Sequence, residues 1–436
     1  MKHGFGASVV VASLVGWALP ATATPAQAAT AVSPIAVRQL KGDVYELDYL
    51  LRTGSGVHDL VGVHRVVREE DHHPVSSRKA VVLVHGDAWN FNGAFLGGTH
   101  SAYSLPVYLA SRGIDVWGID LGWTLVPADT TDFSFLKGWG LQRDINDVEK
   151  AIGFARSIRR ATGSPGNNRV TLLDWSRGGW TGYALLNEES QMPRGKRQVG
   201  AYIPVDTFFK VNDSSIQANM CSFEAGTNTD VANGIYAYSN DFYVQVGRLA
   251  ESDPNGPSPD TLFGPPYTNL QASLTLGAAT FQFGSSYAQY YHYVAGTFPG
   301  GDTTQIPDRL TYTDTSRWND FLASASPFES SQLIADTLGI SCGDTHTNFD
   351  NHLADIRVPV FYIGAGGGFG RGGLYTLSLL GSENVTSKIV SFVPANQAAV
   401  DFAHVDLWNA RRADSLVWKP IYHWVTELGP QGDLSD

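Results

Sequence analysis

Short apolar runs alternate with helical stretches through the first half of this chain, and that alternation limits the fold more than any other feature. The runs are KAVVLVHG (79–86), GIDVWGID (113–120), NRVTLLDW (168–175) and QVGAYIPVD (198–206). Segments this short and this continuously apolar suit strands buried on both faces. Between the second and third, Leu141, Ile145, Val148, Ile152, Ala155 and Ile158 recur every three or four residues, with Arg, Asp, Glu and Lys opposite. That is one apolar stripe of an α-helix. The stretch TGSPGNN, with its Gly and Pro, stops it. Strands joined by helical crossovers run parallel, which predicts an α/β fold: a mostly parallel sheet with helices on both faces.

The alternation breaks after Asp206. From 207 to 355 the chain is rich in Tyr, Phe, Ser, Thr, Asn and Gly without a strand–helix beat. It resumes with IRVPVFYIG (356–364), whose strand is expected at 358–363, a helix near 373–381, the strand KIVSFV (388–393) and an amphipathic stretch from Leu416 to Leu428. The simplest organisation is a core of 29–206 and 356–436 interrupted by a large cap or lid insertion, 207–355. The chain's two cysteines, Cys221 and Cys342, both fall inside the insertion. In an oxidising compartment an even pair is most simply one disulfide, which would staple the insertion to itself.

The compartment follows from the first residues. Lys2 and His3 precede the apolar run ASVVVASLVGWALPA, and Ala26-Gln27-Ala28 follows it. A basic start, a short apolar stretch and an Ala-x-Ala site have the form of a signal peptide, here 1–28, so the expected destination is extracellular or periplasmic. The run is short for a bilayer, and no later segment approaches ~20 uninterrupted apolar residues, so stable membrane insertion is not expected. A formal charge of −12 argues against a nucleic-acid partner, because a phosphate backbone selects a basic face. Oligomeric state is left open.

The segment TLLDWSRGGW (171–180) carries the chemistry. Val170-x-Leu172-x-Asp174-x-Ser176-x-Gly178-Gly179 resembles the nucleophile elbow of the α/β-hydrolase family, whose usual form is Gly-x-Ser-x-Gly. There the nucleophile sits on a strained strand-to-helix turn, and its near neighbours must be small because backbone passes close by. Gly178 and Gly179 meet that need. Asp174 departs from it, since glycine or alanine is usual at that position. Asp174-Trp175 also resembles the aspartate elbow of haloalkane dehalogenases, but in that register Arg177 falls where a small residue belongs. Serine fits better.

The resemblance implies the remaining parts. A serine hydroxyl needs a base to take its proton, and FAHVDLWNA (402–410) looks like the family's histidine loop, which implies His404. The commonest place for the acid reads GAGGGFGRGG (364–373) and holds no carboxylate, whereas YIPVDTFF puts Asp206 one strand earlier. The order Ser176, Asp206, His404 is the family's own; Asp120, Glu383 and Asp401 are the rivals for the acid. The backbone N–H groups of Arg177 and Asp87 would bind the oxyanion, with the Asp87 side chain turned toward a basic group such as Arg177. Trp89, Phe91, Trp123, Trp175 and Phe208 lie beside strand ends, where ligands bind in such sheets, and aromatics of the insertion, Tyr290, Tyr291 and Tyr293 among them, add a roof. Asp344, His346, Asp350 and His352 read as capping residues rather than metal ligands. No metal or other cofactor is expected.

The expected function is thus a secreted serine hydrolase acting on a small-molecule or lipid-like carboxylic ester or lactone with a bulky apolar group. The alternatives are an amidase or peptidase with the same triad, a haloalkane or epoxide hydrolase using Asp174, and a non-catalytic binding protein.

Overall fold

Residues 36–70 alternate polar and apolar positions and build an antiparallel edge that the search for continuous apolar runs passes over. In the computed structural model, which describes residues 33–165, 169–259, 267–283, 288–344 and 347–428, three strands open the chain: β1 (Ala36–Lys41), β2 (Val44–Arg52) and β3 (Leu60–Glu70). The signal peptide predicted at 1–28 lies outside the described residues. Strand β1 is mostly exposed and carries Arg38, Gln39 and Lys41, charged and polar groups of the kind that protect a sheet edge from pairing with another chain.

The apolar runs become β4 (Ala80–Val84), β5 (Asp115–Asp120), β6 (Val170–Trp175) and β7 (Val199–Val205), and the sheet ends with β8 (Val360–Ala365) and β9 (Val385–Val390). Their order is β1-β2-β3-β5-β4-β6-β7-β8-β9. The links from β1 to β5 are antiparallel, and those from β5 to β9 are parallel. Alternate side chains of one strand go to opposite faces. Val81 and Leu83 join a core with helices α1 (Leu105–Ala110) and, at the end of the chain, residues 419–427. Val82 and Val84 join the other with α2 (Leu141–Ala161) and α3 (Gly178–Gln191). The predicted stripe from Leu141 to Ile158 is buried throughout. A fully buried carboxylate, Asp115, accepts from Arg65 at 2.9 and 3.0 Å and from Arg159 at 3.0 Å, pinning α2 to the sheet.

Between β7 and β8 no strand joins the main sheet among the described residues. The segment folds instead into α4 (Ser214–Ala232), α5 (Asp241–Ser252), α6 (Asn269–Ala278), α7 (Thr315–Ala323) and α8 (Ser331–Cys342), with two small two-stranded ladders. Asp213 caps α4 by accepting from Ser215 and Ile216, and Thr268 with Gln271 forms a capping box on α6. Cys221 and Cys342 are disulfide-bonded, joining α4 to α8.

Two predicted boundaries shift. Strand β8 runs 360–365 rather than 358–363, and β9 runs 385–390 rather than 388–393. The cause of the second is Asp401, whose carboxylate accepts from Phe392 N–H at 2.7 Å and from the Ser391 hydroxyl at 2.5 Å, drawing those residues out of the ladder. Helix α9 (Gly373–Ser378) follows β8, α10 (Asp406–Asn409) follows the histidine loop and α11 is Lys419–Glu427. No helix among the described residues is long and apolar enough to cross a membrane.

Candidate active site

Strand β6 ends at Trp175 and α3 begins at Gly178, so the chain reverses within two residues. Ser176 takes φ 57°, a left-handed conformation for a residue with a side chain, the kind of local strain that clusters at functional positions. The turn is tight on every side. A Cβ on Gly178 would lie 2.5 Å from the His85 carbonyl oxygen, and one on Gly86 would lie 2.7 Å from Ser176 Cβ. The Ser176 N–H is tied to Val205 O at 3.1 Å, and its side chain faces a pocket.

Asp174 faces elsewhere. It is fully buried beneath α3, where a Cβ on Gly182 would fall 1.4 Å from its Oδ2, so that glycine makes the room an aspartate needs. Burial drives its carboxyl pKa well above the usual range, and the neighbouring Tyr202 hydroxyl opposes this only in part. Asp174 does not line the pocket. A fully enclosed carboxyl that does not reach the pocket is no nucleophile, so the geometry speaks against dehalogenase or epoxide chemistry at this residue.

His404 Nδ1 donates to Asp206 Oδ2 at 2.6 Å, with both side chains buried. Asp206 also accepts backbone N–H groups from Ala365 at 2.8 Å, Gly370 at 3.0 Å and Phe369 at 3.2 Å. The glycine run after β8 therefore lacks a carboxylate because it wraps the one supplied by β7. A Cβ on Gly368 would sit 2.0 Å from Asp206 Oδ2. Three rings hold the imidazole: Trp175 stacked at 4.7 Å, Phe369 at 5.2 Å and Tyr291 at 5.3 Å. The Asp206 bond leaves Nε2 as the nitrogen for proton exchange. Ser176 Oγ makes no hydrogen bond among the described residues, a contact that commonly tightens only with substrate. Two of the three rival acids are engaged elsewhere: Asp120 with His64, and Asp401 with residues 391, 392 and 402.

The Asp87 carboxylate takes a bidentate pair from Arg177, from Nε and, at 2.8 Å, from Nη2. Arg177 Nη1 reaches Thr337 Oγ1 at 3.1 Å, and Glu329 Oε1 lies 3.6 Å from Nε. Burial, reinforced by Asp87 and opposed by Arg177, pushes the Glu329 carboxyl up to about 8. The pair anchors the residue on each side of the serine whose N–H group is the predicted oxyanion donor.

The pocket, about 470 Å³ including the space open to solvent at its mouth, has aromatic walls of Trp180, Tyr291, Tyr293 and Phe369. Ser176, Asp87, Arg177, Thr337 and Ser341 supply its polar surface. None of the five aromatics predicted beside the strand ends lines it. Trp89 stacks on Phe321 at 4.2 Å, Phe91 on His64 at 4.6 Å, and Trp123 meets His85 edge-on at 5.3 Å. Trp175 backs the imidazole. Phe208 packs on Trp180 and Phe369 and faces a neighbouring groove of about 1130 Å³. Side chains right at the strand ends turn down into the core, so the walls come from α3, the segment after β7 and the glycine run. Trp180 was legible as one helical turn beyond Ser176; Met220, Thr337, Leu338 and Ser341 carried no local signal. Of the cluster near 350, Asp350 pairs with Lys210 at 2.5 Å, His352 with Asp355 at 3.3 Å, and His346 lies outside the described residues.

No protein-family model matches this chain, and no curated protein matches it. Solved structures do. A candidate lipase from Sulfolobus solfataricus aligns over 90% of this chain and 98% of its own, at 17% identity and a TM-score of 0.58. A soluble variant of monoglyceride lipase from Saccharomyces cerevisiae, in complex with a substrate analog, aligns over 92% and 97% at 13% identity and a TM-score of 0.43. A thermophilic esterase from Thermogutta terrifontis aligns over 88% and 99% at 10% identity and a TM-score of 0.41. The first of these likenesses, over 90% of this chain, shows the α/β-hydrolase fold.

Proposed function

We propose that this α/β-hydrolase-fold chain is a secreted serine hydrolase that cleaves a carboxylic ester or lactone bearing a bulky apolar group. One observation carries the reading. Ser176, on a strained turn, opens into the pocket whose Tyr291 and Phe369 walls also flank His404, itself bonded to Asp206.

Ser176 Oγ attacks the ester carbonyl as His404 Nε2 takes its proton, and the oxyanion that forms is met by the N–H groups of Asp87 and Arg177. Each such donor is worth about 3 kcal/mol. His404 then protonates the departing alcohol, and water hydrolyses the acyl-enzyme with the same base. Asp206 keeps the proton on Nδ1 and stabilises the imidazolium. The walls favour an apolar group, because four aromatic side chains face it. Export rests on the leader-like sequence at 1–28.

The test is labelling with a fluorophosphonate probe together with a panel of p-nitrophenyl esters, lactones and anilides. The wild-type chain should label and turn over esters, and Ser176→Ala should do neither. Labelling that persists in Ser176→Ala overturns the assignment of the nucleophile, and anilides cleaved faster than esters overturn the substrate class.

A further inference from the structure

A second histidine is surrounded by carboxylates on the antiparallel side of the sheet. His64 lies directly across from Asp48 in the β2–β3 ladder, and Glu46 is two residues along on the same face. Its Nδ1 is 3.0 Å from Asp48 Oδ1 and 3.1 Å from Glu46 Oε1, and its Nε2 is 3.0 Å from Asp120 Oδ2. The ring stacks on Phe91 at 4.6 Å, which fixes its plane. Arg38 binds Glu46 through the other carboxylate oxygen, at 2.6 and 2.9 Å, leaving Oε1 to the histidine side.

A neutral imidazole has a single N–H. Placed on Nε2 it serves Asp120, and Nδ1 then offers a lone pair toward two carboxylate oxygens. With the imidazole neutral, as a metal ligand must be, three carboxylates against one guanidinium leave the cluster two charges short of neutrality. A divalent ion beside Nδ1 supplies both. With metal–ligand bonds of about 2.0–2.2 Å, neighbouring ligand atoms stand about 3–3.5 Å apart, as the nitrogen and each oxygen do here. Asp120 takes the part of the carboxylate that orients a metal-binding histidine through its far nitrogen. The Asp48 side chain is 29% exposed, which gives an ion a way in.

We propose that Glu46, Asp48 and His64 bind one divalent transition-metal ion of the Zn²⁺ type, with Asp120 as the positioning residue. One imidazole with two carboxylates suits such an ion better than Ca²⁺, which takes oxygen ligands alone. The role is structural. Asp120 Oδ1 also accepts the Phe91 N–H at 2.8 Å, so the ion would brace the end of the turn that carries Asp87. A proton is the competing occupant. Metal must displace that proton, so the measurement belongs at pH 8.

The test is calorimetric titration of the untagged, EDTA-treated and dialysed chain with ZnCl₂, with MnCl₂ and CaCl₂ in parallel and the Tm recorded with and without metal. One Zn²⁺ per chain should bind at micromolar Kd or tighter and raise the Tm. Asp48→Asn, at the most exposed ligand, should weaken binding at least about 10-fold and abolish the Tm rise, and Asp120→Asn should weaken it about 10- to 100-fold. Absence of stoichiometric Zn²⁺ binding overturns the proposal. So does a Kd unchanged in both Asp48→Asn and His64→Gln, which would put the ion on another histidine. Ca²⁺ binding more tightly than Zn²⁺ overturns the choice of ion class.

Discussion

Two imidazoles in this molecule meet an aspartate at the carboxyl end of a parallel strand, and they are built for different work. His404 touches one carboxylate, Asp206 after β7, and packs on Tyr291 and Phe369, which also wall a pocket that holds a strained serine. His64 touches Asp120 at the end of β5 with one nitrogen and Glu46 and Asp48 with the other. A buried histidine–aspartate pair is therefore no mark of a catalytic base by itself. The group facing the second nitrogen decides: a hydroxyl makes the ring a proton carrier, two more carboxylates make it the centre of a charge cluster.

The comparison breaks most visibly in turnover. Ser176→Ala or His404→Ala should lower kcat on a p-nitrophenyl ester by about 10⁶-fold, and Asp206→Asn by about 10⁴-fold through the wrong tautomer. His64→Gln should change kcat per folded molecule by less than about 3-fold, since nothing of His64 reaches the pocket. A His64 variant as damaging as the Asp206 variant would erase the distinction.

Stability should reverse the ranking. In metal-free protein, His64→Gln removes the cation from three carboxylates, of which Glu46 and Asp120 are buried. Breaking a buried pair from one side costs about 3–5 kcal/mol, read as a lower urea midpoint. Ser176→Ala loses a hydroxyl with no hydrogen bond among the described residues and keeps the Cβ that strains the turn, so it should stay within about 1 kcal/mol of wild type. A smaller loss than either catalytic effect is expected from Cys221→Ser with Cys342→Ser. Losing one disulfide typically costs about 2–4 kcal/mol, and ester turnover should be retained because both sulfurs lie outside the pocket lining.

Sequence legibility divides along the same line. The strained turn at Ser176 and the Asp206–His404 contact could be anticipated because each residue follows a parallel strand and the elbow announces itself in consecutive residues. The Asp87–Arg177 pair could be inferred because a carboxylate next to an oxyanion site needs a cation. The His64 cluster was invisible: its members lie on β2, β3 and β5, and only the cross-strand register of an edge without continuous apolar runs brings them together. The pocket walls were half-legible. Tyr291 and Tyr293 belong to an aromatic run of the segment after β7, but the packing of Tyr291 on His404 and Phe369 and of Tyr293 on Trp318 is a tertiary fact. Trp89, Phe91 and Trp123 were misread as lining residues because nearness to a strand end says nothing about which way a side chain turns.

The active site has surplus carboxylates as well, and it partitions them. Asp206 serves His404, whereas Asp87 and Glu329 share Arg177. That sharing predicts the smallest effect, one of pH. The Glu329 carboxyl rises from its ordinary 4.5 to about 8 on folding. Between those values the native state holds a proton that the unfolded chain has released, so this residue's contribution to stability falls as pH climbs from 4.5 to 8 and levels off above. In Glu329→Gln the slope should vanish, so the variant gains on wild type steadily across that window in urea midpoints taken at pH 5, 6.5, 8 and 9. A difference between the two proteins that stays constant with pH would mean that Glu329 is ionised throughout. Arg177 would then serve two carboxylates at once, as the His64 ring serves several, and the contrast between the two sites would narrow to the pocket alone.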